Sequence, residues 1–510
     1  MDKKNNLKSF SALTAFSLSE KVIAFVYQAI IAAILGAGIV TDCFYSASQL
    51  FDLVDSTVLG ALVVVVINRY VNISSEKGEA AGFSFLSKLN SILSIIMIAL
   101  AIMVFVFAEP LSYVIAPGFN AAARPGLITC LRFLCVIPPI MVFATIAQGL
   151  LRVKKSFIIA NSRSLLLSLC GMMAVLLFAR KDPENVAILC LGYIAANILF
   201  SVLLYVRSRS FGRIGFSKPV FDQDIKKMIA MAVPAIISKG IVRISMMIDQ
   251  VISSLQGAGS VSYLIYAHSL YYVVESLLIV NLCTVMLTDF TTLCVDKQYE
   301  KMIKKLRLSI SSIMLILAPV SLLAIGFSQE IVAIVYQRGA FGQESTQSVG
   351  VLLFFYAIGF VPVMLNSMHT QVLHAFGSMK IAMRNSVVSF GINIAMSLIL
   401  SRIVGIAGIA MGTTISAILV VPLFTHSVRR HLPNYKHVVE WKFLGKLIAG
   451  LLSCAIVIIV VKHFISTPLW SFVAATIGGI AAFAIILLLL KEKIAISYYN
   501  KLLRKVRRKT

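Results

Sequence analysis

Residues 31–48 read IAAILGAGIVTDCFYSAS, and residues 252–269 read ISSLQGAGSVSYLIYAHS. Aligned on Gly36-Ala37-Gly38 and Gly257-Ala258-Gly259, the stretches lie 221 positions apart; Val40 then falls on Val261, Tyr45 on Tyr266 and Ser48 on Ser269. A second register, at an offset of 223, pairs Pro139 with Pro362, Met141 with Met364, Gln148 with Gln371 and Leu150 with Leu373. Two registers within two residues of one another, on equivalent apolar segments, point to an internal duplication.

The segments around these strings decide the solvent. Hydrophobic residues make up 59% of the 510 positions, 13% are charged, and the mean hydropathy is +0.93. A water-soluble chain carries roughly 25% charged residues, so lipid covers this one. A spanning helix takes about 20 apolar residues. The sequence predicts fourteen, at 10–35, 42–68, 85–108, 128–151, 156–179, 186–206, 225–254, 262–293, 307–327, 346–374, 380–401, 405–428, 443–464 and 468–490. The fold class expected is an all-α integral membrane protein: two pseudo-symmetric six-helix bundles, 1–210 and 211–432, then two further helices and a basic tail over 433–510. No cleavable signal is evident, and the first apolar segment reads as the first span.

The formal charge of +25 is distributed by topology. Lys and Arg crowd the N-terminus, the even-numbered connections and the tail, while the odd-numbered connections hold only Arg124, Arg180, Lys181, Arg338, Arg402 and Lys462. Basic residues stay on the cytoplasmic side, so both termini are expected there, which requires an even number of spans. The same distribution argues against nucleic acid, because no soluble basic face remains. The eight cysteines are scattered, with no CxxC pair, and read as packing residues; neither a metal nor a cofactor is expected.

An ionised side chain at mid-bilayer costs roughly 2.5–3.5 kcal/mol on insertion scales and normally faces a partner or a wet cavity. Here such residues gather in the first two spans of each half: Glu20 and Lys21, then Asp42, Asp52 and Asp55; Lys239, Arg243 and Asp249, then His268, Glu275 and Asp289. Spans three, five, nine, eleven, thirteen and fourteen read as almost free of interior charge. Six-helix repeats enter the membrane with the same orientation, and paired repeats of this kind build central sites that open alternately to either side. Lys21, Lys239 and Arg243 would line such a chamber and hold an anionic group such as a diphosphate. The plainer reading is that Glu20, Asp52 and Asp55 neutralise these cations and fasten the halves together. No Walker loop, GxSxG or HExxH occurs, so transport rather than catalysis is expected, with no catalytic residues.

Several stretches carry a family resemblance: Ala32-Ala33-Ile34-Leu35-Gly36-Ala37-Gly38 followed by Thr41-Asp42-Cys43-Phe44; Gly259-Ser260-Val261-Ser262-Tyr263 leading into Tyr266-Ala267; Tyr356-Ala357-Ile358-Gly359; and Gly405-Ile406-Ala407-Gly408-Ile409-Ala410 before Thr413-Thr414. The most specific is Arg338-Gly339-Ala340-Phe341. In these the chain resembles the MurJ (MviN) family of lipid II flippases, within the multidrug/oligosaccharidyl-lipid/polysaccharide exporter superfamily. The resemblance implies an alternating-access flippase that moves undecaprenyl-diphosphate-linked peptidoglycan precursor from the inner to the outer leaflet. The implied partners are a lipid-linked anionic substrate and membrane lipid, with Na+, H+ or Cl− as coupling ion and cell-wall synthesis proteins as neighbours. Lys21 stands where the family usually has Arg, Tyr27 replaces a second Arg, and Gln28 replaces its acidic neighbour. Asp42 is kept. Leu53-Val54-Asp55-Ser56 replaces an Arg-rich stretch, and His268-Ser269 replaces an Asp-Arg pair. The site residues expected are therefore Lys21, Lys239, Arg243, Asp42, Glu20, Asp52, Asp55, His268, Ser269 and Tyr27. Rival readings are a flippase for another polyprenyl-linked oligosaccharide, a cation-coupled multidrug exporter, and a non-transporting scaffold.

Overall fold

A computed structural model describes residues 3–179, 185–465, 467–497 and 500, with side chains for all of these except 3–15, 18, 64, 234, 235, 237–239, 241 and 242. Among the described residues there are helices and no strands. In chain order they are α1 (Lys3–Leu35), α2 (Ile39–Val54), α3 (Gly60–Lys77), α4 (Glu79–Val106), α5 (Ala108–Ile115), α6 (Arg124–Leu134), α7 (Ile137–Val153), α8 (Phe157–Ala160), α9 (Arg163–Ala174) and α10 (Ala187–Arg209). There follow α11 (Gln223–Ser254), α12 (Ser260–Val274), α13 (Asn281–Val295), α14 (Tyr299–Gly326), α15 (Ser328–Tyr336), α16 (Gln343–Ala375), α17 (Met379–Val404), α18 (Ala407–His431), α19 (Trp441–Phe464) and α20 (Pro468–Leu489).

Eleven helical runs among the described residues are long and apolar enough to cross a membrane, and Arg163–Ala179 is a shorter apolar one. At 33 and 32 residues, α1 and α11 have the length for two more. The set is consistent with fourteen spans. Short π-helical stretches, Asp55–Leu59 and Glu275–Val280, join α2 to α3 and α12 to α13, so each pair forms one crossing. Both stretches begin on an acidic residue, and their first positions lie 220 apart. The short helices α5 and α15, which the sequence does not announce, begin at Ala108 and Ser328, again 220 apart. The duplication thus reappears as repeated irregularities, which shared apolar composition would not produce.

At the first π-turn hydroxyls bond back along the helix, whereas a third π-helical stretch, Val175–Ala179 after α9, contains no hydroxyl. Ser56 Oγ donates to the Asp52 carbonyl at 2.6 Å, and Thr57 donates to the Leu53 carbonyl. Hydroxyls that bond back to the i−4 carbonyl compete with the helical ladder and bend it. In the second copy Ser276 donates to the Val273 carbonyl at 3.2 Å.

The described chain gathers into two compact units. The first comprises Met1–Ile265 with Arg338–Gly342; the second comprises Tyr266–Gln337 with Gln343–Thr510. In the second unit α17 and α18 form the tightest hairpin. A Cβ added at Gly408 would stand 2.2 Å from the Leu400 carbonyl carbon, and one at Gly412 would stand 2.6 Å from Ser397 Oγ. Lipid offers no hydrophobic drive between helices, so close approach of small residues and interhelical hydrogen bonds must hold them. Asn385, Ser389 and Asn393, four residues apart on α17, bond to Ser427, Ser416 and Thr413 of α18 in succession.

Candidate functional site

The sequence-predicted residues fall into three places. Glu20, Lys21 and Tyr27 on α1, with Asp52 and Asp55 at the π-turn, belong to one polar cluster in the first unit. Asp42 sits apart at the start of α2. His268 and Ser269 lie on α12 in the second unit.

The cluster is built on a residue that the sequence left unassigned. Arg163, the first residue of α9, pairs with the Asp55 carboxylate, and its Nε donates to Asn197 Oδ1 of α10 at 3.0 Å. The fifth span was expected to be almost free of interior charge, and Arg163 corrects this: its side chain is 19% exposed. One of its terminal nitrogens, Nη2, is buried without a hydrogen-bond partner. Beside it, Tyr193 donates its hydroxyl to Asp52 Oδ1 at 2.6 Å. The Glu20 carboxylate engages Ser164, the neighbour of Arg163. The Tyr27 ring packs on Gly171 of α9, so closely that a Cβ there would lie 2.4 Å from the ring. Gly171 is what lets α1 approach α9. Gln28, next to Tyr27, accepts from the Tyr45 hydroxyl at 2.8 Å.

The expected cations are placed unevenly. Lys21 is half-buried and makes no ion pair among the described residues. Arg243 is exposed, approaches the Met246 sulfur at 4.0 Å and lies within electrostatic reach of Asp52. The Lys239 side chain lies outside the described residues. Three carboxylates (Glu20, Asp52 and Asp55) and three cations (Lys21, Arg163 and Arg243) thus share this part of the first unit.

Asp42 is 1% exposed and saturated. Its carboxylate accepts from Gly259 N at 2.6 Å, Ser262 N at 2.8 Å and Ser262 Oγ at 2.6 Å. It thereby caps the N-terminus of α12, whose orphan N–H groups and positive dipole end favour an anion. The two glycine strings meet here, since a Cβ on Gly259 would stand 3.0 Å from the Ala37 carbonyl. The Arg-Gly-Ala-Phe box joins the same end: Ala340 N donates to the Ala33 carbonyl at 2.8 Å. Gly339 has φ +56° there, and any side chain would strike that carbonyl at 2.2 Å. The sequence-specific motif is thus a backbone clasp on the end of α1.

In the second unit His268 is flanked by aromatic rings, with Tyr271 at 5.7 Å, Tyr272 at 6.3 Å and Tyr356 at 6.3 Å between centroids. Ser269 beside it is half-buried. Asp289 pairs with Lys305 at 2.6 Å. Among the described residues no group of three or more His, Cys, Asp or Glu is placed to hold a metal ion.

Membrane-length helices, a duplicated irregular topology and a charged cluster inside the bundle define a polytopic membrane transporter. The family model for the lipid II flippase MurJ matches residues 31–478, and the chain belongs to that family. Among its relatives is a probable lipid II flippase MurJ of Rickettsia prowazekii (strain Madrid E), 26% identical over 415 residues, covering 80% of each chain. Its fold is that of a solved lipid II flippase MurJ in an inward closed conformation, with a TM-score of 0.80 at 19% identity, over 96% of this chain and 99% of the other. A multidrug resistance MATE family transporter of the MOP superfamily, inward-facing, matches with a TM-score of 0.68 at 13% identity, over 82% and 95%.

Proposed function

We propose that this chain is a lipid II flippase: it carries the undecaprenyl-diphosphate-linked precursor from the inner to the outer leaflet of the bacterial cytoplasmic membrane by alternating access, and so serves peptidoglycan synthesis. The observation that carries this reading is the family match across residues 31–478. Both termini lie in the cytoplasm, a reading supported by the crowding of Lys and Arg in the even-numbered connections. The lobes 1–210 and 211–432 and the added pair 433–510 are our division of the chain, supported by the 220-residue recurrence of π-turn and short helix.

Lys21 and Arg243, which make no ion pair among the described residues, and Lys239 on the same helix as Arg243 are assigned to the diphosphate. A guanidinium offers it two parallel hydrogen bonds, and an ammonium offers a compact point charge. On this reading transport is coupled to an ion: Na+, H+ or Cl−. Cell-wall synthesis enzymes downstream would receive the product.

The experiment is direct. The purified chain in liposomes, under an imposed membrane potential, should move labelled lipid II between leaflets, and the gene should rescue a flippase-deficient strain. Failure of rescue together with unchanged outer-leaflet lipid II in depleted cells would remove the proposal. Export of a cationic dye by the same liposomes would favour the multidrug reading that the acidic cluster suggests.

A further inference from the structure

Between α10 and α11 the chain runs for thirteen residues, 210–222, without regular structure. It is not slack. Gly212, at φ +158°, presses on the Phe83 ring, where a Cβ would come within 2.3 Å. Gly215 N donates to Ser87 Oγ at 3.1 Å; its carbonyl accepts from Asn90 Nδ2 at 3.2 Å, and Ser217 N donates to Ser91 Oγ at 2.8 Å. Ser87, Asn90 and Ser91 share one face of α4 by their spacing, so a polar stripe on a membrane helix straps the connection down.

The strap crosses α4 at a telling level. Lys88 is the last charged residue of that helix, and residues 89–106 carry none. Ser87 to Ser91 lie roughly 12–18 Å along α4 from its start at 1.5 Å per residue, which is the border between polar end and acyl chains. At this border the strap shows Phe216, 78% exposed, together with Val220 and Phe221, at 50% and 55%. Arg213, Lys218, Lys226 and Lys227 are exposed beside them and make no ion pair among the described residues. The acids of the segment are already committed: Asp222 to Lys88 at 2.8 Å, and Asp224 to Arg69 and to Lys77 at 3.2 Å. Those pairs hold the strap in place and leave a strip that is apolar and cationic together.

We propose that residues 211–227 form an interfacial anchor that binds anionic phospholipid headgroups of the adjacent leaflet. Phe216 and Phe221 enter the acyl boundary while Arg213, Lys218, Lys226 and Lys227 hold headgroup phosphate. Exposed apolar side chains with interleaved basic residues bind such surfaces by burial and charge together. The anchor is separate from the flipped substrate and stands whether or not the substrate reading does.

The test uses the full chain in liposomes of brominated lipids, with the exposed Trp441 and Trp470 changed to Phe and a single reporter, Phe216→Trp. Brominated phosphatidylglycerol in a phosphatidylcholine host should quench the reporter at least fivefold more effectively than brominated phosphatidylcholine, about the gain of one basic residue near an anionic surface. A reporter at Ile477 of α20, also lipid-length exposed, should show no preference. Changing Arg213, Lys218, Lys226 and Lys227 to Gln should erase the preference yet keep acyl quenching. Raising the salt of the unaltered reporter chain to 1 M, where the screening length is about 3 Å, should erase it without any substitution. An unquenched Phe216→Trp would overturn the anchor, and so would equal quenching by both lipids or a preference indifferent to salt.

Discussion

The π-turns Asp55–Leu59 and Glu275–Val280 occupy equivalent places in the duplication but differ in electrical surroundings. In the first, the acid is tied to Arg163, with Tyr193, Asn197 and Asp52 completing a network across α9 and α10. In the second, Glu275 makes no ion pair among the described residues. The same backbone device therefore serves a bonded charge in one half and a loosely held one in the other. A bend that admits an irregular carbonyl pattern in a membrane helix is tolerated where it lines protein or water.

The comparison yields predictions of decreasing size. The largest concerns the helices that open each half. Lys21→Ala on α1 and Arg243→Ala on α11 should each abolish complementation of a flippase-deficient strain, while membrane abundance and thermal stability stay at the parent level. Full growth of both variants would end the cationic role of these helices. Next comes the bonded π-turn. Arg163→Ala leaves Asp55 without its cation and should cost roughly 3 kcal/mol, as for a broken buried pair, seen as lower membrane abundance and a depressed Tm. Adding Asp55→Asn should restore most of the loss. Glu275→Gln, with no pair to break, should shift stability by less than about 0.5 kcal/mol; an equal loss at both turns would erase the contrast drawn here.

A third prediction addresses the end of the first unit. Asp42→Ala removes three hydrogen bonds and a charge from the start of α12 and should cost about 2 kcal/mol, with Asp42→Asn losing about half as much. Thermal unfolding of the purified variants measures both. The smallest effect lies at the strap. Burial raises the Asp222 carboxyl, but the Lys88 hydrogen bond and the Ile225 N–H outweigh it, holding the group below the usual carboxylate range. A depressed folded value means the contribution is complete above the unfolded value near 3.9 and fades as pH falls through the lower folded one. The stability gap between the parent and Asp222→Asn should thus be flat from neutrality to about pH 5 and close below about pH 3, and should stay under about 1 kcal/mol for so accessible a pair.

Most of the helical plan was legible because its cause is local. An apolar run of spanning length, ended by charge or proline, behaves alike wherever it occurs, so the expected span at 225–254 and the observed α11 differ by only a few residues. The repeat was legible as well, since Gly36-Ala37-Gly38 and its copy survive in both halves. The candidate site was legible in part. Glu20, Asp52 and Asp55 announce themselves as acids in apolar helices, but nothing near Arg163 shows that it meets Asp55, 108 positions earlier. The one available signal was an arginine within a span otherwise free of charge. Asp42 misleads in the opposite direction: it is an acid kept by the family, yet all its bonds go to the next half's helix cap and none to an open face.

What the sequence determined by itself is the solvent, the approximate limits of most spans, the duplication and the family, because hydropathy and short motifs act over a few turns of one helix. What only the tertiary structure decided is which charges are satisfied: Arg163 with Asp55, Asp42 with the α12 cap, and the strap's acids with Lys88 and Arg69. Those pairings join residues far apart in the chain. In a low-dielectric interior the energy of a charge depends on the atoms a few ångströms away, and helix packing alone determines which atoms those are.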